Sequence, residues 1–274
     1  MKDKKQSRIE RIEQEVQKAL KSNLLDNTFA SVALQDEETC QYVLRKITGI
    51  NDLKVTSAKG QYRLLDLATK DSVLDVYAED SSGRQMNLEI QRRDTVDHPR
   101  RTRYYSSGMD KSILEKGAEY YELPDVYVVY ISETDIWNAG KTIYPVNKYL
   151  GDTGIPYDDG SHVIYANAEV NDGSDVANML QYFKTADPND MRFGALSKRI
   201  RFLKTEKGGR EVMSDSMREF AEEMKQYGVE EGIKMNSQKT AKRLFAKHNS
   251  VEDIADTLEV DVEQVEAWLG LLEA

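Results

Sequence analysis

Between Leu74 and Gln91 the chain sets two carboxylates where a cation would be needed to hold them together. The runs Leu74-Asp75-Val76-Tyr77 and Asn87-Leu88-Glu89-Ile90-Gln91 flank a short Ser81-Ser82-Gly83 turn, and each alternates apolar with polar residues. Alternation with a period of two is the signature of a strand. Leu74, Val76 and Ala78 share one face with Met86, Leu88 and Ile90, while Asp75, Glu89 and Gln91 point the other way. A three-residue loop ending in Gly suits a hairpin whose last loop residue is left-handed. Closing that loop with Asp80 against Arg84 sets Asp75 opposite Glu89. Like charges facing each other across a sheet repel, and a hard divalent cation converts that repulsion into ligation. The spacing predicts a metal site.

The order Asp, hairpin turn, Glu-x-Gln resembles the D…(D/E)xK signature of the PD-(D/E)xK nucleases, with Gln91 where Lys is usual. Further segments follow in order: Arg101-Thr102-Arg103-Tyr104-Tyr105, Gly117 to Pro124, and Val126-Tyr127-Val128-Val129-Tyr130-Ile131. With Leu25-Asp26-Asn27-Thr28-Phe29 upstream and Asp159 to Asn167 downstream, they resemble the recombination-promoting nuclease family of PD-(D/E)xK nuclease family transposases. The resemblance runs from about Leu24 to about Met213. It implies a metal-dependent DNA endonuclease linked to recombination or mobile elements, and Gln at the third motif position is common in that family. The rival expectation is a catalytically inactive DNA-binding or regulatory protein that keeps the nuclease fold.

On this reading Asp75 and Glu89 bind Mg²⁺, or Mn²⁺ or Ca²⁺ in its place, together with the Ile90 backbone carbonyl, water and a phosphate oxygen. Gln91 carries no charge and takes no proton at neutral pH, so its part is to orient water or phosphate by hydrogen bonding. Glu37 and Glu38 open a helix, where some nucleases of this class place an additional acid; the helix dipole accounts for them equally well. Arg92, Arg93, Arg100, Arg101 and Arg103 form the densest positive cluster, directly after the motif, where a phosphodiester would need neutralising contacts. Tyr104 and Tyr105 could stack on a base or pack inward. Gly140-Lys141-Thr142 echoes the end of a P-loop, but Asp135 stands where its first Gly would be required.

Composition narrows the choice. The chain has 274 residues, a net charge of -10 and 31% charged residues, so DNA contact must use a local basic patch against an acidic background. A single cysteine, Cys40, excludes a disulfide framework or a Cys-rich zinc site and fits a reducing cytoplasm. The longest apolar run, Val126 to Ile131, is far too short to span a membrane, and Met1 to Arg11 lacks the apolar centre of a signal peptide.

The elements that must carry the motif follow from periodicity. Ile9, Ile12, Val16 and Leu20 predict an opening amphipathic helix. A second helix is expected from Asp36 to Thr48, with Cys40, Val43, Leu44 and Ile47 inward and Gly49 just past its end. One strand lies somewhere in Asp52 to Ala68, and Asp97-His98-Pro99 starts a helix reaching about Lys116. Val126 to Ile131 reads as a buried central strand, with further strands at Ile143 to Leu150 and His162 to Ala166. Helices are expected beyond Ser174, over Met191 to Leu203, Gly209 to Lys234, and in a pair capped by Ser250 and Asp261 that resembles a helix-turn-helix. This order predicts an α/β, restriction-endonuclease-like core with a mixed central sheet flanked by helices. The expected limits are an N-terminal helix over 1–23, a nuclease-like domain over 24–208 and a helical extension over 209–274. The acidic second helix of the last pair suits packing or homo-oligomer formation better than a DNA groove.

Overall fold

The computed structural model describes residues 2–64, 72–92, 96–114 and 117–271, with side chains from Glu10 onward except that of Arg11. Among the described residues six strands form one mixed sheet in the order β1-β2-β3-β4-β6-β5. They are β1 (Val55–Leu64), β2 (Ser72–Asp80), β3 (Gln85–Gln91), β4 (Val126–Ser132), β5 (Ile143–Pro145) and β6 (Ser161–Asn167). The first three pair antiparallel, β3, β4 and β6 run parallel, and β5 returns antiparallel on the edge.

The hairpin forms with the expected register. Val76 pairs with Leu88 and Ala78 with Met86, the Asp80 N–H bonds the Arg84 carbonyl at 3.1 Å, and Gly83 takes the left-handed conformation at φ 80°. Asp80 locks the turn, accepting from the Ser82 and Arg84 N–H groups at 2.9 and 3.0 Å and from Arg84 Nε at 2.8 Å. Both faces of β3 are buried, so Asn87 and Glu89 are as enclosed as Met86 and Leu88. The polar side of the hairpin is therefore an interior, not a solvated face.

Helices flank the sheet. After α1 (Lys2–Leu20), α2 (Asn27–Leu34) packs on β1, β2 and β3, an element not foreseen from the sequence; Asp26 caps it by accepting from the Phe29 N–H. The next helix, α3 (Glu37–Thr48), starts one residue later than expected, with Asp36 as its cap, and has the predicted buried stripe and Gly49 in the left-handed conformation at its end. Between the parallel strands β3 and β4 runs α4 (His98–Ile113), slightly shorter than expected, with His98, Thr102, Ser106 and Met109 turned inward. The expected strand over Ile143 to Leu150 stops at Pro145, although the Val146 N–H still bonds the Val163 carbonyl at 2.9 Å.

Beyond the sheet lie α5 (Asp175–Thr185), α6 (Gly194–Thr205) and α7 (Lys207–Phe245). The helix expected from Gly209 to Lys234 is longer at both ends. Gly209 is required where α7 leaves α6, since a Cβ there would lie 2.0 Å from the Phe202 carbonyl oxygen. The described residues divide into two compact units, one within residues 2–64 and 72–217, the other within residues 218–271. In the second, α8 (Val251–Leu258) and α9 (Val262–Leu269) enclose a small core of Ala241, Ile254, Ala255, Val265 and Trp268. Ser250 caps α8 through the Asp253 N–H, whereas Asp261 stands at the start of α9 without a side-chain cap bond. Among the described residues no helix is long and apolar enough to cross a membrane.

Candidate active site

Asp75 and Glu89 meet where the β2–β3 ladder ends. Hydrogen-bonded pairs in an antiparallel ladder recur at every second residue, so the Asp80–Arg84 bond implies that Ile90 would next pair with Leu74. Instead the Ile90 N–H donates to Asp75 Oδ2 at 2.8 Å, and the Asp75 N–H lies 3.4 Å from Glu89 Oε1. Each carboxylate thus takes a backbone proton at or beside the other's residue, which draws the two acids together. In a strand the N–H and C=O of one residue point to the same edge, so the Ile90 carbonyl faces the same opening.

Neighbouring side chains hold the acids in place. Gln61, across from Asp75 on β1, has a left-handed backbone at φ 50°. It donates to Asp75 and, through Nε2, to Ser31 Oγ at 2.8 Å. Asn27, the first residue of α2, also donates to Asp75, and Ser31 Oγ lies 2.8 Å from the Asp75 carbonyl oxygen. On the other side, Asn87 Nδ2 donates to Glu89 Oε1 at 3.1 Å, and Tyr105 of α4 hydrogen-bonds Glu89.

Burial pushes the Asp75 carboxyl up to about 6, against the hydrogen bonds from Ile90, Gln61 and Asn27 and the charge of Arg101. Burial, then the charge of Asp75, pushes Glu89 up to about 8. Burial, then the charge of Glu89, also raises the Tyr105 hydroxyl. Two enclosed acids that disfavour each other's ionisation are the arrangement a cation would relieve.

The donors fit a hard divalent ion. All are oxygens: two carboxylates, the Ile90 carbonyl, and Asn87 Oδ1, which is buried beside Glu89 and has no hydrogen-bond partner. Among the described residues no group of three or more His, Cys, Asp and Glu side chains gathers to hold a metal. An ion here would therefore complete its shell with backbone oxygen, water and phosphate rather than a third acid.

The remaining candidates are distributed unevenly. Gln91 ends β3 on the same face as Glu89, and its carbonyl accepts from the Glu133 N–H at 3.2 Å. Arg101 and Tyr105, one helical turn apart, reach the acids from α4; Arg101 also pairs with Asp97 at 3.3 Å. Arg100, Arg103 and Tyr104 are exposed on α4. Arg92 is also exposed and bonds Asn23 at 2.7 Å and Glu133 at 3.5 Å. Arg93 lies outside the described residues. Glu37 and Glu38 are exposed in the first turn of α3, where the helix dipole suffices for them, and they do not join the pair.

Sequence reasoning missed Gln61, Asn27 and Asn87 as parts of the site. Asn87 shares the period-two face of Glu89, which was a usable signal; Gln61 and Asn27 come from elements whose place beside the hairpin no local pattern announces. No curated protein and no solved structure matches the chain. A family model, PD-(D/E)XK nuclease family transposase, matches residues 42–169 and takes in all six strands, Asp75, Glu89 and Gln91. Over residues 42–169 this chain is thus similar to the PD-(D/E)XK nuclease family transposases.

Proposed function

We propose that the protein is a metal-dependent DNA endonuclease whose centre is the Asp75–Glu89 pair. The observation that carries the reading is the pair itself: two buried acids, drawn together at an interrupted ladder and both pushed toward the protonated form. A structural role gives no reason to enclose two repelling carboxylates, because a neutral pair of the same shape would be more stable there.

Asp75, Glu89 and the Ile90 carbonyl would hold Mg²⁺, or Mn²⁺ or Ca²⁺ in its place, with Asn87 Oδ1 as a further oxygen within the site. When bound, such an ion offsets negative charge on the phosphate and makes water more acidic. Gln61, Asn27 and Tyr105 keep the carboxylates aimed, the kind of support that fixes ligand geometry. Gln91 orients the attacking water as it adds to phosphorus and the bond to the leaving sugar oxygen breaks. The exposed Arg100 and Arg103, with Arg92, Arg93 and Arg101, neutralise the phosphates on either side of the cut, which reconciles DNA binding with a net charge of -10. The family's transposase designation supports a place in recombination or mobile-element biology. The C-terminal helices are proposed as the surface for self-association.

The test is supercoiled plasmid incubated with the purified protein in Mg²⁺ or Mn²⁺, with EDTA as control. Nicking that EDTA abolishes is expected; binding without nicking in either metal would replace this reading with that of an inactive DNA-binding protein.

A further inference from the structure

A single row of paired positions crosses the sheet at the level of the two acids. Glu89 is paired with Tyr130, Tyr130 with Tyr165, and Tyr165 with Tyr144. Paired residues share a face, so the acids at one end of the row continue into an aromatic patch at the other. His98, the first residue of α4, packs on Tyr130 and Tyr165 at ring separations of 6.0 and 5.4 Å. Trp137 closes this patch, its ring perpendicular to those of both His98 (5.0 Å, 88°) and Tyr165 (5.3 Å, 83°). Yet it is 44% exposed, while Tyr130 and Tyr165 are buried.

The loop that carries Trp137 is braced. Asp135 accepts from the Gly140 N–H at 2.9 Å and from the Tyr144 hydroxyl at 2.7 Å. That hydroxyl in turn accepts from the Ala139 and Lys141 N–H groups at 3.2 and 3.0 Å. The loop follows the carboxyl end of β4, beside the end of β3 where Gln91 emerges, since the Glu133 N–H bonds the Gln91 carbonyl. A large aromatic ring held between perpendicular neighbours on a braced loop and left half open offers a preorganised stacking surface. At a site for nucleic acid, every base offers a face to it.

We propose that Trp137 stacks on an unpaired base of the DNA strand whose phosphate lies at the Asp75–Glu89 pair. This rests on the nuclease reading and adds a substrate class: DNA that is single-stranded or opened beside the cut. The scale fits. Tyr165 lies two strand spacings from Glu89, roughly 10 Å, so the stacked base is a near neighbour of the scissile phosphate. Arginines exposed on α4, the helix that begins at His98, supply the positive charge the adjoining backbone needs.

The chain contains two tryptophans, and Trp268 belongs to the core of the other compact unit. In full-length Trp268→Phe protein, Trp137 is therefore the only indole. Its emission is followed while a single-stranded oligonucleotide is titrated in Ca²⁺, with binding measured separately by anisotropy of a dye-labelled copy. The expected result is quenching that saturates with binding and is relieved by an abasic residue at one position of the strand but not at others. Trp137→Ala should weaken binding of the intact strand about 10-fold, within the range of base–aromatic stacking, and leave binding of that abasic strand unchanged; Trp137→Phe should keep most of the affinity. Binding without quenching, or quenching indifferent to the abasic position, overturns the stacking site and leaves the nuclease reading standing. Failure of every oligonucleotide to bind withdraws the nuclease reading, and the stacking site with it.

Discussion

Glu89→Gln should make the metal-free protein more stable above neutral pH. In the folded chain the Glu89 carboxyl is raised from 4.5 to about 8, by burial and then by the charge of Asp75. A group raised on folding keeps its proton longer when folded than when unfolded. Its contribution to stability is full below the ordinary carboxylate range, falls as pH rises from about 4.5, and is lost once pH passes about 8. Each pKa unit corresponds to roughly 1.4 kcal/mol, so the whole rise amounts to roughly 5 kcal/mol. Part of that rise belongs to repulsion from Asp75, which relaxes when Glu89 is replaced. Gln keeps the shape and an oxygen for Asn87 and Tyr105, but its amide needs new partners. A gain of about 2–3 kcal/mol at pH 8.5 is therefore expected, or about 1 M in urea midpoint for a slope of about 2–3 kcal/mol/M. Urea unfolding in EDTA, between about pH 5 and pH 9, measures it through Trp137 emission in a Trp268→Phe background. Adding Mg²⁺ should raise the wild-type midpoint at high pH and leave the variant nearly unmoved. Parallel stability profiles for the two proteins, without metal, would refute the claim that Glu89 is ionised at a cost in this site.

Replacing Arg101 and Arg103 with Ala should lower the salt dependence of DNA binding by about one unit of slope per lost phosphate contact, without altering sequence preference; an unchanged slope would assign them to structure. Gln61→Gly should relieve a left-handed backbone worth roughly 1 kcal/mol while losing the bond to Asp75, so thermal unfolding should shift little and metal-dependent turnover should fall. Unaltered turnover would remove Gln61 from the site. Gly209→Ala should lower stability by about 1–3 kcal/mol, measured by thermal unfolding, because its Cβ has no room beside Phe202; a neutral effect would mean that the α6–α7 junction yields.

The hairpin was legible because everything that fixes it is local. Alternation set the faces, the Gly83 loop set the register, and the register set Asp75 against Glu89. The same holds for α3, where Asp36, the apolar stripe and Gly49 each act within a few residues. What the sequence did not disclose is what covers the polar face. Asp75 and Glu89 look solvated on paper, yet α2 and α4 close over them, because β3 is central and needs both faces buried. The long-range partners follow from that closure: Gln61 arrives through β1 and Asn27 through α2, and their roles exist only once the sheet is assembled. Tyr105 rather than Tyr104 turns inward, a choice set by the rotation of α4 about the buried His98, Thr102, Ser106 and Met109 line. The expected helix ran through Gly228 and Gly232 but stopped at Lys234, whereas α7 continues to Phe245.

The most direct test of the account is cleavage of supercoiled plasmid in Mg²⁺ by wild type, Asp75→Ala, Glu89→Ala and Gln91→Lys, each checked for folding by circular dichroism. Wild type should nick, and the two carboxylate variants should be folded and inactive. Gln91→Lys should remain active, because a positive charge at the end of β3 can stabilise the developing oxyanion where Gln only orients water. Full activity in folded Asp75→Ala would contradict the account, since cleavage would then come from elsewhere in the chain.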